Sequence, residues 1–284
     1  MSMTGKVCLI TGATNGIGRA TAKALVEQGA ELFIVCRNRD KGEALLAELR
    51  ALRADAALTL LIADLGKMAD IRRAAQEFLD TGKPLHLLLN NAGVVNTERK
   101  LSADGIEETF AVNHLAYFLM TELLRQRLID SAPSRIVSVA SEAHAFAKGV
   151  QFDDPEFANH PYKTFKVYGH SKLCNILWTR ELAKQLAGTG VTVNCVHPGA
   201  VSTGLGQQDG GLMARTVSLI LKPFFRSPDK GASTSIYVAT SPGLEGVTGE
   251  YFADCKPKRI KPWGKDDAAA EKLWQLSEDY VRRA

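Results

Sequence analysis

Residues 11–18 read TGATNGIG, and they lie between the apolar run KVCLIT, at 6–11, and a stretch with helical periodicity over 16–28. The three glycines of this segment allow a tight turn and a close approach of the backbone to a ligand. A helix that starts here would present free N–H groups and the positive end of its dipole, which favour a bound anion. The spacing G-x-x-x-G-x-G therefore predicts a strand, a turn and a helix, and it leaves open whether the turn cradles a phosphate or only reverses the chain.

The rest of the chain repeats this alternation of strand and helix. Apolar runs rich in β-branched residues predict strands buried on both faces, as in a parallel sheet covered by helices. They fall at 6–11, 31–36, 58–64, 85–90, 135–140 and 191–196, with a weaker strand at 249–254. Helical periodicity falls at 16–28, 41–52, 67–80, 103–129, 164–187 and 266–282. We therefore expect one α/β domain over 1–284, a doubly wound Rossmann-type fold with a mostly parallel sheet of about seven strands and helices on both faces.

Composition narrows the class of protein. The 284 residues are 45% hydrophobic and carry a formal net charge of only +4, which gives no footprint for nucleic acid. The densest basic stretch, KPKRIKPWGK at 256–265, is interpreted as a solvated surface segment in preference to an anion-binding or membrane-binding patch. No window reaches the roughly 18 consecutive apolar residues of a membrane span. Five widely separated cysteines without metal-ligand spacing predict reduced thiols, and we expect a cytoplasmic protein without a bound metal.

Two further motifs carry chemistry. NNAG at 90–93 ends the fourth apolar run, next to the expected position of the glycine turn. YGHSK contains Tyr168 and Lys172 at i, i+4 spacing, so both side chains project from one helix face. An ammonium close to a phenol lowers the phenol pKa from its usual value near 10 and makes the tyrosine a usable acid and base. Taken alone, the pair could also be an exposed surface pair.

Together these motifs resemble the short-chain dehydrogenase/reductase family over nearly the whole chain. TGATNGIG, NNAG, Asn113, Ser141, YGHSK and HPG at 197–199 occur in the order and spacing of that family. The retinol dehydrogenase-related branch is the most similar, through the segments SVASEAH (138–144), FDDPEF (152–157), YGHSKLCNILWTREL (168–182), HPGAVST (197–203), KPFFRSPDKGA (222–232) and EGVTGEYFADCK (245–256).

The resemblance implies four catalytic residues. Tyr168 would be the general acid toward a carbonyl oxygen, and Lys172 would lower its pKa and bind the nicotinamide ribose. Ser141 would polarise the carbonyl, and Ser138 competes for that role from the opposite side of its strand. Asn113 would hold a water in a proton relay, or it is a satisfied core amide.

The resemblance also implies a nicotinamide cofactor, and the second strand indicates which one. Cys36 stands where the family's NAD-selective acid usually stands, and Arg37 follows it, so we expect NADP(H) in preference to NAD(H). Two residues weaken this preference. Asn15 is not the basic residue that some NADP-selective relatives carry, and Asp40 places a negative charge nearby. The expected cofactor contacts are Gly12, Thr14, Asn15, Gly16, Ile17, Gly18, Arg37, Asn38, Asp64, Leu65, Asn91, Ala92, Gly93, Tyr168, Lys172, Pro198, Gly199, Val201 and Thr203.

The substrate end is less determined by sequence. Residues 204–226 combine glycines with apolar residues and are interpreted as a lid over an apolar ligand, with a core helix or an interfacial helix as alternatives. The resemblance implies an apolar aldehyde or ketone, retinal-like or steroid-like, interconverted with its alcohol. His144 would contact substrate or be a solvated turn residue, and His170 would point away from the catalytic pair. The competing function is a non-catalytic NADP(H)-binding sensor or scaffold, and both a homodimer and a monomer stay open.

Overall fold

The computed structural model describes residues 2–199 and 226–284, and they form an eight-stranded sheet with helices on both faces. The strands are β1 (Val7–Thr11), β2 (Glu31–Cys36), β3 (Leu58–Ile62), β4 (Leu87–Asn90), β5 (Ser134–Val139), β6 (Val191–His197), β7 (Tyr251–Ala253) and β8 (Lys256–Pro257). The helices are α1 (Gly16–Glu27), α2 (Arg39–Leu52), α3 (Met68–Asp80), α4 (Glu108–Phe110), α5 (Ala116–Asp130), α6 (Thr164–Gln185), α7 (Pro228–Thr240) and α8 (Asp267–Arg283).

The strand order is β3-β2-β1-β4-β5-β6-β7-β8, with β8 alone antiparallel to its neighbour. The chain builds outward from β1 on one side and then returns to place β4 on the other side. The order therefore reverses between β1 and β4, and this reversal opens a crevice at the carboxyl ends of the two strands. The expected fold class is confirmed, and the two-residue β8 is an addition that the sequence does not signal.

Strand alternation builds a core on each face of the sheet. Leu9 of β1 and Phe33 of β2 belong to the cluster under α3, α5, α6 and α8. Their neighbours Ile10 and Ile34 belong to the cluster under α1, α2 and α7. Because both faces are covered, most residues of the central strands are apolar whichever face they point to, which explains the near-continuous apolar runs of the sequence.

The long helix predicted over 103–129 is wrong at its start and in its middle. Residues 103–107 are not helical, and Glu107 instead caps α4 by accepting hydrogen bonds from the backbone N–H groups of Thr109 and Phe110. A π-helical turn over Ala111–Leu115 then separates α4 from α5. Such turns are rare and occur frequently at functional sites, and this one contains Asn113.

The structure also bears on two expectations from the sequence, reduced cysteines and the absence of a membrane-spanning helix. All five cysteines lie in the described part of the chain and are free. In the same part, every helix is too short or too polar to cross a bilayer.

Candidate active site

A cavity of about 340 Å³ lies at the carboxyl ends of the central strands. It runs from the N-terminus of α1, past the ends of β2 and β3, to the side chains of Tyr168 and Lys172 on α6. Sixteen of the predicted contacts line it, namely Gly12, Thr14, Asn15, Gly16, Ile17, Gly18, Arg37, Asn38, Asp64, Leu65, Asn91, Ala92, Gly93, Tyr168, Lys172 and Pro198. Gly199 is not among the lining residues, while Val201, Thr203 and all of 204–226 except Arg226 lie outside the described residues.

The glycine turn packs tightly against the segment that follows β4. Gly12 has a φ of +68°, and a Cβ there would lie 2.6 Å from the Cα of Ala92. A Cβ at Gly18 would collide with the carbonyl oxygen of Gly12 and with Asn91 Nδ2. These two glycines therefore serve the fold itself, because β1, α1 and the NNAG segment can meet only where side chains are absent. Asn15 caps α1, with its Oδ1 accepting from the N–H of Gly16 at 2.8 Å.

The NNAG segment is fixed by β1. Thr11 Oγ1 accepts hydrogen bonds from the N–H groups of Asn91, at 3.0 Å, and Ala92, at 3.1 Å. Asn91 Nδ2 donates to the carbonyl oxygens of Thr11 and Gly12 at 2.9 and 3.0 Å. Tyr117 Oη donates to the carbonyl oxygen of Ala92 at 2.6 Å. Several hydrogen bonds, from Thr11, Asn91 and Tyr117, therefore fix the NNAG segment, which forms one wall of the cavity.

Cationic side chains gather where β2 ends. Arg37 is 64% exposed, and its guanidinium lies 3.8 Å from Asp64, which leaves the pair loose and solvated. Asn38 caps α2 by accepting from the N–H of Lys41 at 2.9 Å, and Lys41 also lines the cavity. Cys36, which precedes Arg37, brings no negative charge because its buried thiol has a raised pKa. This end of the cavity therefore suits an anionic group.

Tyr168 and Lys172 face the other end of the cavity, as their spacing predicts. Lys172 Nζ donates to the carbonyl oxygen of Val139 at 2.9 Å and lies 5.6 Å from the centre of the Tyr168 ring. Burial raises the pKa of Tyr168 to about 12, and a hydrogen bond with Ser141 opposes that rise. Burial lowers the pKa of Lys172 from 10.5 to about 7.

Burial sets the net direction of the Tyr168 pKa upward, and the lowering effect of Lys172 on that pKa stays a prediction. Desolvation disfavours the charged form of each group, so it raises the pKa of the phenol and lowers that of the amine.

Ser141 lies two residues past the end of β5 and caps the 3-10 turn Glu142–Phe146. Its Oγ accepts from the N–H of Ala143 at 3.1 Å, and its hydroxyl can still donate one hydrogen bond on the side of Tyr168. Ser138, the competitor for the same role, is fully buried inside β5.

Two histidines near the pair have structural contacts. The solvated alternative for His144 is wrong, since the ring is buried and its Nδ1 is 2.8 Å from the carbonyl oxygen of Ser141. His170 is also buried, and its Nε2 accepts from the N–H of Gln151 at 3.2 Å. His144 therefore steadies the Ser141 turn, and His170 anchors the segment that follows it.

Asn113 ties the NNAG segment to α6. Its Oδ1 accepts from the N–H of Val94 at 2.7 Å, and its Nδ2 donates to the carbonyl oxygen of Val94 at 2.9 Å and to Ser171 Oγ at 3.1 Å. Ser171 Oγ in turn donates to the carbonyl oxygen of Tyr168 at 2.8 Å. These are the contacts of a satisfied core amide, the alternative left open above, and a water relay through Asn113 stays a prediction.

Several lining residues were missed from sequence. They are Val35, Cys36, Lys41, Ala63, Val94, Val95, Glu108, Val112 and Val139. Val35, Cys36, Ala63 and Val139 lie at or just past the carboxyl ends of predicted strands, a position that could have nominated them. Glu108 and Val112 could not have been found, because their position depends on the late start of the helix and on the π turn, neither of which the sequence signals.

Comparison with known proteins gives the same assignment from independent information. The family model described as short chain dehydrogenase matches residues 6–153 and 155–210. Mouse retinol dehydrogenase 12 is 42% identical over 273 residues, which cover 96% of this chain and 85% of the relative. Human retinol dehydrogenase 14 is 42% identical over 300 residues, covering 98% of this chain and 87% of the relative.

Solved structures agree in fold. A short chain dehydrogenase from Burkholderia cenocepacia, in complex with NADP, has 27% identity and a TM-score of 0.70, with 89% of this chain and 97% of that chain covered. A blue fluorescent protein from a metagenomic library, in complex with NADPH, has 25% identity and a TM-score of 0.70, with 89% and 98% covered. With a cavity, a tyrosine–lysine pair and relatives that all agree, this chain belongs to the short-chain dehydrogenase family of oxidoreductases.

Proposed function

We propose that this protein interconverts an apolar aldehyde or ketone with its alcohol, using NADP(H) and Tyr168 as the general acid and base. One observation carries the proposal above the others. A single cavity joins a cationic end, at Arg37 and Lys41, to an end where Tyr168 and Lys172 face the same space. A sensor or scaffold needs the first end only.

The residues present fit NADP(H). Gly16 and its neighbours at the N-terminus of α1 would hold the pyrophosphate, because a helix N-terminus offers unpaired N–H groups. Arg37 and Lys41 would pair with a 2′-phosphate, since Cys36 brings no competing negative charge. When bound, NADPH supplies the hydride that reduces the carbonyl carbon.

Tyr168 would supply the proton. Its pKa of about 12 keeps the phenol protonated at neutral pH, so it can donate to a carbonyl oxygen that gains negative charge. Ser141 would donate a second hydrogen bond to that oxygen through its hydroxyl proton, while its Oγ accepts from Ala143. In the alcohol-to-carbonyl direction the same two groups would accept the proton and hold the alcohol oxygen.

Lys172 would restore the proton that Tyr168 gives up. A pKa of about 7 lets the amine gain and lose protons readily at neutral pH. Its hydrogen bond to the carbonyl oxygen of Val139 fixes Nζ at the cavity wall. The relatives named retinol dehydrogenases support an apolar alcohol or aldehyde as the substrate class.

Replacement of Tyr168 tests the acid role. Tyr168→Phe should lower turnover of a confirmed aldehyde by about a hundredfold or more, because general acid catalysis contributes about that much. NADPH binding, followed by its fluorescence, should stay within error of the parent protein. Tyr237→Phe is the matched control, since Tyr237 lies on α7, away from the cavity lining.

Two results would contradict the proposal. Tyr168→Phe that keeps most of the parent's turnover would remove the acid assignment. A parent protein that binds NADPH yet oxidises it with no member of a broad aldehyde and ketone panel would favour the sensor or scaffold.

A further inference from the structure

The basic segment at 256–265 lies beside the candidate active site. Trp263 Nε1 donates to the carbonyl oxygen of His144 at 3.1 Å, which ties the segment to the 3-10 turn that begins after Ser141. Lys258 Nζ is 2.6 Å from Glu142 in the same turn. The sequence alone favours a merely solvated role for this segment, but its position next to the catalytic turn calls for a second interpretation.

Two large aromatic side chains are exposed at the same place. Phe146 ends the 3-10 turn and is 61% exposed, and Phe165 lies one helical turn before Tyr168 and is 69% exposed. Their ring centroids are 5.9 Å apart, so they form one apolar patch. The turn packs directly on α6, since a Cβ at Gly169 would lie 3.3 Å from the Cβ of Phe146. Exposed apolar patches of this kind commonly mark interaction sites.

Exposed cations lie close to the pair in the chain or on the segment that Trp263 ties to the 3-10 turn. We use the name aromatic–basic face for a set of exposed side chains. The set contains the two phenylalanines, two lysines close to them in the chain, and four cations of the segment 256–265. Its cations are Lys148, Lys163, Lys256, Arg259, Lys261 and Lys265. Within the described residues none of the six has an ion-pair partner, whereas three nearby acids are paired, and the exposed acids Asp153 and Asp266 are not. Glu142 pairs with Lys258, Asp254 with Arg226, and Asp267 with Arg180 and Lys184.

We propose that the aromatic–basic face docks on a lipid bilayer whose headgroups carry net negative charge, and that the active site draws its apolar substrate from that bilayer. Unpaired lysine and arginine side chains complement anionic headgroups. Aromatic rings insert at the boundary between headgroups and acyl chains, where one face is apolar and the other wet. Phe146 ends the turn that Ser141 caps and Phe165 lies one helical turn before Tyr168, so an apolar aldehyde leaving the bilayer at this face would have a short path to both groups. Docking is independent of the proposed function, while delivery rests on it.

Vesicle sedimentation tests the docking. The protein is mixed with vesicles of phosphatidylcholine alone or of phosphatidylcholine and phosphatidylglycerol in equal parts. We expect sedimentation with the second kind only, and its loss at high salt. Arg259→Glu with Lys261→Glu should weaken binding by about twentyfold or more, since each cation near an anionic surface contributes about fivefold. Phe146→Ser with Phe165→Ser should weaken it by about tenfold.

Matched variants separate this face from general effects of charge and hydrophobicity. Arg50→Glu with Arg283→Glu changes the net charge by the same amount on exposed positions elsewhere, and Leu52→Ser removes an exposed apolar side chain from α2. Both should bind vesicles like the parent protein. Thermal unfolding confirms that each variant is folded.

Three results would overturn docking. They are no sedimentation with either vesicle, equal loss in the matched variants, or binding that survives Phe146→Ser with Phe165→Ser and is matched by an acidic polymer such as heparin. The last result would assign the face to a polyanion. Delivery is tested separately by the rates at which the parent and the Arg259→Glu, Lys261→Glu variant reduce a long-chain aldehyde dissolved in vesicles. Each rate is divided by the rate with a short, water-soluble aldehyde. Equal ratios for the two proteins would overturn delivery.

Discussion

At the scale of single residues, the buried amine of Lys172 links catalysis to stability. Its pKa is about 7 in the folded protein and 10.5 when exposed, so between these values the unfolded chain binds one more proton than the folded one. Stability therefore rises with pH across this window, and below pH 7 the full cost of burying the charge is present.

Lys172→Met should remove that dependence. From pH 7 to pH 9 the free energy of unfolding of the parent should rise, relative to the variant, by up to about 1.4 kcal/mol per pH unit. Urea unfolding of both proteins at several pH values gives the difference. A difference that stays constant with pH would show that Lys172 keeps its proton throughout, contrary to its burial.

Arg37 should set the choice of cofactor. Arg37→Ala should raise the KM for NADPH by about tenfold to a hundredfold, the usual effect of losing a charge-assisted hydrogen bond, and should leave the KM for NADH nearly unchanged. Steady-state kinetics with each cofactor measure the two effects. Arg39→Ala is the control, since Arg39 is exposed and is not among the cavity-lining residues. Equal changes for both cofactors in Arg37→Ala would mean that Arg37 does not read the 2′-phosphate.

Residue types and spacing were enough to nominate most of the cavity lining, because the chemistry of Tyr168, Lys172 and the glycines depends on local pattern. The contribution of burial to the Tyr168 pKa was not predictable in this way. It depends on how fully β5 and α5 enclose the pair, and burial of this kind is a property of tertiary packing. The contacts of His144 escaped for the same reason, since its buried position depends on Tyr251 and Trp263.

At the scale of elements, the start of α4 shows where periodicity misleads. Apolar residues continue at helical spacing through 103–129, yet the chain enters its helix only after Glu107. The buried Glu107 carboxylate accepts from the N–H groups of Thr109 and Phe110 and from Tyr162 Oη, at 2.9, 2.7 and 2.9 Å. A glutamate cap of this kind lacks the usual serine, threonine or aspartate signal, so the sequence gives no notice of it.

Glu107→Ala should lower the free energy of unfolding by about 3 kcal/mol, because three donors lose their acceptor at about 1 kcal/mol each. Chemical denaturation measures the loss. Glu98→Ala is the matched control, since Glu98 is 75% exposed and lies 4.0 Å from Lys100, and its effect should be close to zero. An equal loss in both variants would contradict the capping role.

At the scale of the whole molecule, buried neutral histidines set the acid limit of the fold. Burial lowers the pKa of His114 to about 4, of His170 to about 3 and of His197 to about 4. As pH falls below 6.5, the unfolded chain takes up protons that the folded chain refuses, so stability falls with pH.

We expect the free energy of unfolding to drop steeply between pH 6.5 and pH 4, and His114→Gln to reduce the slope by up to about 1.4 kcal/mol per pH unit. Glutamine can keep a hydrogen bond toward Ser277, which lies 2.9 Å from His114 Nε2. Urea unfolding across this range tests the slope. A variant with the parent's slope would mean that His114 is protonated in the folded protein.

The overall architecture could be predicted because alternation of apolar runs and helical periods is a local signal repeated along the chain. Strand order, the short β8 and the approach of the 256–265 segment to the Ser141 turn could not, since each depends on contacts between residues far apart in sequence. The basic segment is the clearest example. The sequence alone favours a solvated surface segment, and only the hydrogen bond between Trp263 and His144 shows that it lies beside the active site.

The two ends of the sheet differ in use: the cavity lies at one end, and the other end offers a place to attach the protein to a surface. The cavity gathers the carboxyl ends of the strands, whereas the turn between α6 and β6, with Gly188 and Gly190, lies at the opposite edge, roughly 20 Å away by the length of β6. A Cβ at Gly188 would meet open space, but its φ of +78° strains any other residue there, so a tag belongs on an inserted residue of this turn. A dye or an immobilising tag joined at this turn would hold the protein on an electrode or bead with the reactive edge turned toward the solution.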